Sequence, residues 1–256
     1  MSSVQVYIIL GSAQAGRRAV LADLIGNGLD AAARPVLLVA ASEASPPAEV
    51  QERLSAIPEL AQGTWSLVDG RVDAEIPASA THVFIVADGH ANPVDQIEAL
   101  HAWLLSANAV LARVLTVVNC QLAHAHPILL RWYDACIHFS DVAMLNRRDD
   151  VPNKWVSDFI ARYRKQHYPC LIELVKRGDF PNPALLLEPE ARRMSQLFDE
   201  TEPLSVAVVA DDDDDDDGDE EVVDEDAVPV DPYIERLAGS GRRAKEIPDI
   251  TKYLSA

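Results

Sequence analysis

Apolar residues along the chain fall into short, near-continuous runs separated by stretches with helical spacing. Val6-Tyr7-Ile8-Ile9-Leu10 is the first run, and Val20, Leu21, Leu24 and Ile25 then share one face of a helix. Val36–Ala40, His82–Ala87, Val110–Val118 and Val142–Leu145 repeat the strand pattern, the kind expected of strands buried on both faces. Between them, Ala48–Ile57, Pro93–Ala107 and Pro127–His138 read as helices, and Thr64–Val68 as a short edge strand. Such alternation predicts an α/β fold, an open, mostly parallel sheet with helices on both faces. Beyond Pro152 the alternation stops. Residues 153–166, 171–177 and 189–198 read as helices, with a turn from Gly178 to Pro183, and 204–209 as a last strand or the start of a linker.

Ligands in sheets of this kind bind at the carboxyl ends of the strands. Gly11, Asp88, Asn119 and Asn146 all stand at such ends. The first of these positions opens Gly11-Ser12-Ala13-Gln14-Ala15-Gly16-Arg17-Arg18, a turn between a strand and a helix. Its two glycines have the spacing of a phosphate-binding loop, whose backbone N–H groups cradle phosphates. The two side chains that complete that motif differ: Arg17 replaces its lysine, and Arg18 replaces the Ser or Thr that holds magnesium.

At 256 residues and 48% hydrophobic, the chain can bury one sizeable core. The net charge of −19 is local in origin. Thirteen acidic residues and no basic ones lie between Asp211 and Asp226, and subtracting them leaves −6 for the rest. That composition predicts an unfolded acidic linker and argues against nucleic acid as a partner. Cys120, Cys136 and Cys170 form no C-x-x-C pair, so no disulfide framework or thiolate zinc site is indicated. No run is long enough to span a bilayer, no signal peptide is evident, and the expected compartment is the cytoplasm. The expected organisation is a domain over 1–152, a helical extension over 153–203, an acidic linker over 204–228 and a C-terminal segment over 229–256. That last segment, from Pro229 to Ala256, carries Tyr233, Ile234, Leu237, Ile250 and Tyr253 around a basic cluster, as a docking peptide for an unidentified protein partner would.

Four segments, in order, resemble the GTP-binding domain of CobW-type metallochaperones, relatives of HypB and UreG. Ile9-Leu10-Gly11-Ser12-Ala13-Gln14-Ala15-Gly16-Arg17-Arg18 is similar to the family's T-G-F-L-G-A-G-K-T loop, and Ile85-Val86-Ala87-Asp88-Gly89-His90-Ala91-Asn92-Pro93 to its I-E-T-S-G-L-A-D-P. Leu115-Thr116-Val117-Val118-Asn119-Cys120 is similar to its T-V-V-D-A strand, and the stretch from Phe139 to Asp149 to its A-D-R-I-L-L-N-K-x-D. The resemblance spans about Val4 to Val151 and implies a P-loop fold with a guanine site. In that site Asn146 would contact the base edge, Arg147 would pack over the ring, and Asp149 would accept from the ring nitrogens.

The departures bear on activity. The family's Walker-B glutamate falls on Val86, with Asp88 two residues on as a candidate catalytic or metal-ligand substitute, and the C-x-C-C metal motif is absent. Phosphoryl transfer needs a metal to neutralise developing charge, and the usual protein ligands are missing. The expectation is a degenerate CobW-like guanine-nucleotide (GTP or GDP) binding protein without efficient hydrolysis, acting in regulation or scaffolding. Magnesium has little support, and no metal site is assigned. Two alternatives stay open: a slow GTPase serving metal delivery, and a binding module that takes no nucleotide.

Overall fold

The computed structural model describes residues 3–107, 109–199, 231–237 and 239–254. Among these described residues, eight strands form one sheet in the order β4-β3-β2-β5-β1-β6-β7-β8. They are β1 Val4–Leu10, β2 Pro35–Ala40, β3 Ala61–Val68, β4 Arg71–Asp73, β5 His82–Val86, β6 Ala109–Asn119, β7 Val142–Asn146 and β8 Leu171–Leu174. Every neighbouring pair is parallel except β3 and β4. Because the side chains of a strand alternate, β1 feeds two cores. Val6, Ile8 and Leu10 face one; Tyr7 and Ile9 face the other. Helices α1 Arg17–Gly28, α2 Ala48–Ser55 and α7 Pro183–Leu187 cover the Tyr7 side. The Val6 side is covered by α3 Pro93–Ala107, α4 Cys120–Ala125, α5 Leu130–His138 and α6 Asn153–Arg164. The expected α/β architecture is what the chain adopts, and among the described residues no helix is long and apolar enough to cross a membrane.

Several elements differ from expectation. Residues 171–177 are not helical: β8 lies parallel to β7 from Val142↔Leu171 to Leu145↔Leu174 and extends the sheet. Four half-buried residues show too little periodicity to tell strand from helix, and the open edge of β7 decides. Residues 189–198 contain no helix either. That strap is held by Asp141, which is fully buried and accepts the Arg192 N–H at 2.6 Å and the Val114 N–H at 2.7 Å. The helix nearby is α7, which starts at Pro183, where the expected turn ends; Asn182 caps it by accepting the Leu185 N–H at 3.3 Å. The expected strand from Thr64 begins earlier, at Ala61, and is not the edge, since β4 pairs beyond it. Residues 204–209 and the acidic run 211–226 lie outside the described residues.

The C-terminal segment, expected to stand off as a docking peptide, packs in its described part onto the chain's own α3 and α5. Tyr233 and Ile250 join the core at 5% and 1% exposure. Asp231 pairs with Nε2 of His138, the last residue of α5, at 2.8 Å. Tyr233 and Ile250 are thus covered by the chain itself, whereas Leu237 stays 53% exposed.

Candidate functional site

The loop after β1 has a shape only glycine permits at two points. Gly11 has φ of 129°, and a Cβ there would lie 2.3 Å from the Val117 carbonyl oxygen of β6. Gly16 has φ of 83° at the start of α1, and a Cβ would meet Nδ2 of Asn146 at 2.6 Å. Between them Gln14 also takes a positive φ, 62°, and Ala15 is fully buried. The Ser12 hydroxyl bonds to the Tyr133 hydroxyl of α5 at 3.0 Å, and Tyr133 also accepts the Asn119 N–H at 3.2 Å. The loop is pinned from beneath.

The chain itself occupies the cradle. The Ala13 N–H donates to the Gly89 carbonyl at 3.1 Å, and a Cβ on Gly89 would lie 2.1 Å from Ala13 N. Arg17, 4% exposed, turns inward instead of towards a phosphate position. Its guanidinium donates to the Ala87 carbonyl and pairs with Glu43 Oε1 at 2.5 Å. Glu43 also accepts the Gly89 N–H at 2.7 Å. Arg18 donates to the Ala44 carbonyl, and burial lowers its pKa, opposed by Glu43 and reinforced by Arg17. Glu43, in a Ser/Pro-rich turn, is not legible in the sequence as a site residue.

Asp88 follows β5. Burial pushes its carboxyl up, but bonds from the His90 N–H, Ser42 and the His90 ring outweigh this, and its pKa is lowered. Glu43, Asp88 and His90 each place one ligand atom within 4.8 Å of the others, the one such trio among the described residues. Magnesium takes a near-octahedral set of oxygens, and this trio does not fit it. Glu43 is spent on a guanidinium, Asp88 on His90, and Val86 beside them is apolar and buried. The remaining histidines are scattered: His101 stacks edge-on to Phe198, His124 to Trp155, and His126 lies against Tyr253. Burial pushes the Cys120 thiol up to about 12, away from the thiolate that binds metals.

The loops after β7 and β8 lie at the same edge of the sheet as residues 11–16. Asn146 donates from Nδ2 to the Ala15 carbonyl at 2.8 Å, joining its loop to the phosphate loop. Arg147 is exposed with φ of 51°, and the Asp149 side chain is exposed while its carbonyl accepts from Gln121 Nε2 at 2.8 Å. Arg148 donates to the Val175 carbonyl at 2.9 Å and ties the two loops together. Between them and the start of α1 lies a cavity of about 700 Å³, lined by Gly16, Ala19 and residues 146–149 and 175–178. The structure thus brings Gly16, Asn146, Arg147 and Asp149 to one cavity, while Arg17, Arg18 and Asp88 lie outside its lining. Asn119 is used elsewhere, capping α4 through the Leu122 N–H at 3.1 Å. Lys176 and Arg177 join the lining from a stretch that reads as helix in sequence.

A parallel sheet with a glycine-bracketed strand–loop–helix at its carboxyl edge defines the class: an α/β protein of P-loop type. No family model matches the chain, and no curated protein matches it. Among solved structures it is similar to a Zn(II)-bound YjiA GTPase from E. coli at 11% identity, covering 75% of this chain and 67% of that one with a TM-score of 0.43. A Zn(II)-bound triple mutant of YjiA GTPase gives 12% identity with the same coverage and TM-score. The functional reading rests on the site itself.

Proposed function

We propose that this chain is a nucleotide-binding protein that holds a guanine nucleotide without hydrolysing it efficiently, in a regulatory or scaffolding role. The observation that carries the reading is the cavity between the start of α1 and the loops after β7 and β8. Asn146 spends one Nδ2 hydrogen on Ala15, and an amide carries a second. Asp149 offers an exposed carboxylate that suits the paired ring and amino N–H groups of guanine, and the planar Arg147 suits the ring face. Gly16 and Ala19, at the first turn of α1, line the same cavity, and that turn has no side-chain cap and no acidic residue, which suits it to phosphate oxygens. Slow or absent turnover follows from Arg17 being held by Glu43 and from the poor fit to magnesium.

Isothermal titration with GDP, GTP and ATP, each with and without magnesium, tests this. Guanine-selective binding indifferent to magnesium is expected, and Asp149→Asn should weaken it at least about tenfold, or ~1.4 kcal/mol. Equal binding by wild type and variant sinks the assignment. The second reading, a slow GTPase, would use Asp88, which stands beside Glu43, and needs both carboxylates freed from Arg17 and His90 before they could hold magnesium. It requires magnesium-dependent phosphate release that disappears in Asp88→Ala.

A further inference from the structure

Two sets of bonds connect the phosphate loop to the C-terminal segment. At the loop, the Gly89 carbonyl occupies the Ala13 N–H, and the close approach of Gly89 to Ala13 leaves no room for a ligand oxygen there. A ligand reaches that N–H only when the turn at Asp88 and Gly89 withdraws. Gln96 of α3, 1% exposed, fixes this turn to the helix. Its Nε2 donates to the Asp88 carbonyl at 3.0 Å and its Oε1 accepts the Asp88 N–H at 2.6 Å. With both ends of a buried amide engaged, separating the turn from α3 would leave polar groups unsatisfied. Turn and helix start therefore move together.

Beside Gln96 on the same helix are the groups that hold the C-terminal segment. Asp95 accepts from Arg243 Nε at 3.2 Å, and Glu98 pairs with Arg243 at 2.5 Å and with Arg236 at 3.0 Å. Asp95 and Glu98 are three residues apart, on one face. Arg243 also donates to the Tyr233 carbonyl at 3.0 Å, so the same guanidinium holds the segment's own fold.

We propose that the Asp88–Gly89 turn, Gln96 and the start of α3 form a two-state link in which filling the phosphate loop loosens residues 231–254 from α3 and α5. The role of phosphate as trigger rests on the nucleotide reading above; the link itself does not. In the closed state Gly89 stands on Ala13 and the two arginines sit on Asp95 and Glu98. In the open state the turn has left the loop, the acidic face of α3 has shifted, and the segment can engage elsewhere. Reciprocity is required: releasing the segment must also ease opening of the loop.

The test uses the full-length chain and hydrogen exchange read by mass spectrometry, with no ligand needed. Gly89→Ala places a Cβ against Ala13 and drives the turn out of the loop. It should speed exchange at least about fivefold, the low end of ordinary coupling, both in residues 11–16 and in 231–254. Arg236→Ala with Arg243→Ala frees the segment from the far end and should speed exchange in residues 11–16 by a similar factor. Adding Gln96→Ala to Gly89→Ala should return 231–254 to wild-type rates while the loop stays fast. Exchange rising at one end only, in either the glycine variant or the arginine pair, overturns the link. Should Gly89→Ala not fold, the arginine pair decides by itself. GDP added to wild type should speed 231–254 as the variants do. If GDP fails to bind while the two ends still change together in the variants, the nucleotide reading falls and the link stands. If GDP binds and the ends change independently, the link falls and the nucleotide reading stands.

Discussion

Arg17 decides between a phosphate-gripping cation and a structural one, and its removal separates the two. The Arg17 and Glu43 side chains are 3% and 7% exposed and meet at 2.5 Å. Removing one partner of a buried pair leaves an uncompensated charge and costs about 3–5 kcal/mol. Here the Gly89 N–H still reaches Glu43 at 2.7 Å, which favours the low end, about 3 kcal/mol. For a chain of this size that corresponds to a melting point lower by roughly 6–12 °C. Urea unfolding of Arg17→Ala, Glu43→Ala and the double variant measures it. The double variant should cost less than the sum of the singles by about 2 kcal/mol or more, within the coupling expected of contacting groups. Arg17→Lys keeps the charge but loses the forked geometry that serves Glu43 and Ala87 together, a loss of about 1.5–3 kcal/mol. An Arg17→Ala variant as stable as wild type, with additive single effects, refutes the inward pair. The guanidinium then faces the cradle, and the case for lost hydrolysis weakens with it.

Gly11→Ala, with its Cβ 2.3 Å from the Val117 carbonyl at φ of 129°, should lose at least about 3 kcal/mol in urea unfolding or fail to fold. Gly70→Ala, with φ of 75° and nothing within 4 Å of its Cβ, should lose only about 1–2 kcal/mol. All three cysteines are buried, and burial raises each thiol, Cys120 to about 12 and Cys170 to about 11. A thiol-reactive disulfide reagent at neutral pH should therefore leave the folded chain unmodified and titrate three thiols in urea. Burial raises the pKa of Asp231, but bonds from His138, Ser195 and the Tyr233 N–H outweigh it, and the net direction is down. A lowered carboxylate contributes stability that is present above its unfolded value, about 3.9, and lost as pH falls through the folded one. Protease resistance of residues 231–254 should accordingly hold to about pH 4 and fall below it. Asp231→Asn should lower that resistance above about pH 4 and shrink the acid step, the rest belonging to Asp95 and Glu98 under Arg236 and Arg243.

What was legible in the chain is what local pattern controls. Gly11 and Gly16 bracket a turn that the backbone can make with little else, and the apolar runs of β1, β5, β6 and β7 admit few readings besides buried parallel strands. β8 was not legible, because Leu171, Ile172, Glu173 and Leu174 suit a helix as well as a strand until β7 offers its edge. α4 has six residues and one start signal, Asn119, too short to show a period. Glu43 is a single acid in a loop, and only folding brings it to Arg17. Tyr233 and Ile250 were visible as apolar residues past an acidic run, but composition cannot tell a partner's surface from the chain's own.

The closed loop also sets how strongly a nucleotide can bind. Displacing the turn breaks the Ala13–Gly89 bond, about 1 kcal/mol, and the bond from Gly89 to the charged Glu43, about 1.5–3 kcal/mol. A ligand that needs the Ala13 N–H therefore forfeits roughly 2.5–4 kcal/mol, about a 70- to 900-fold loss of affinity. That loss is common to GDP and GTP, since both must move the same turn to reach the loop. The phosphate loop keeps its shape without a ligand because Gly89 and Glu43 supply the bonds its backbone and its cation need. It follows that selectivity should come from the base end, and that the number of phosphates should change affinity far less than the identity of the base.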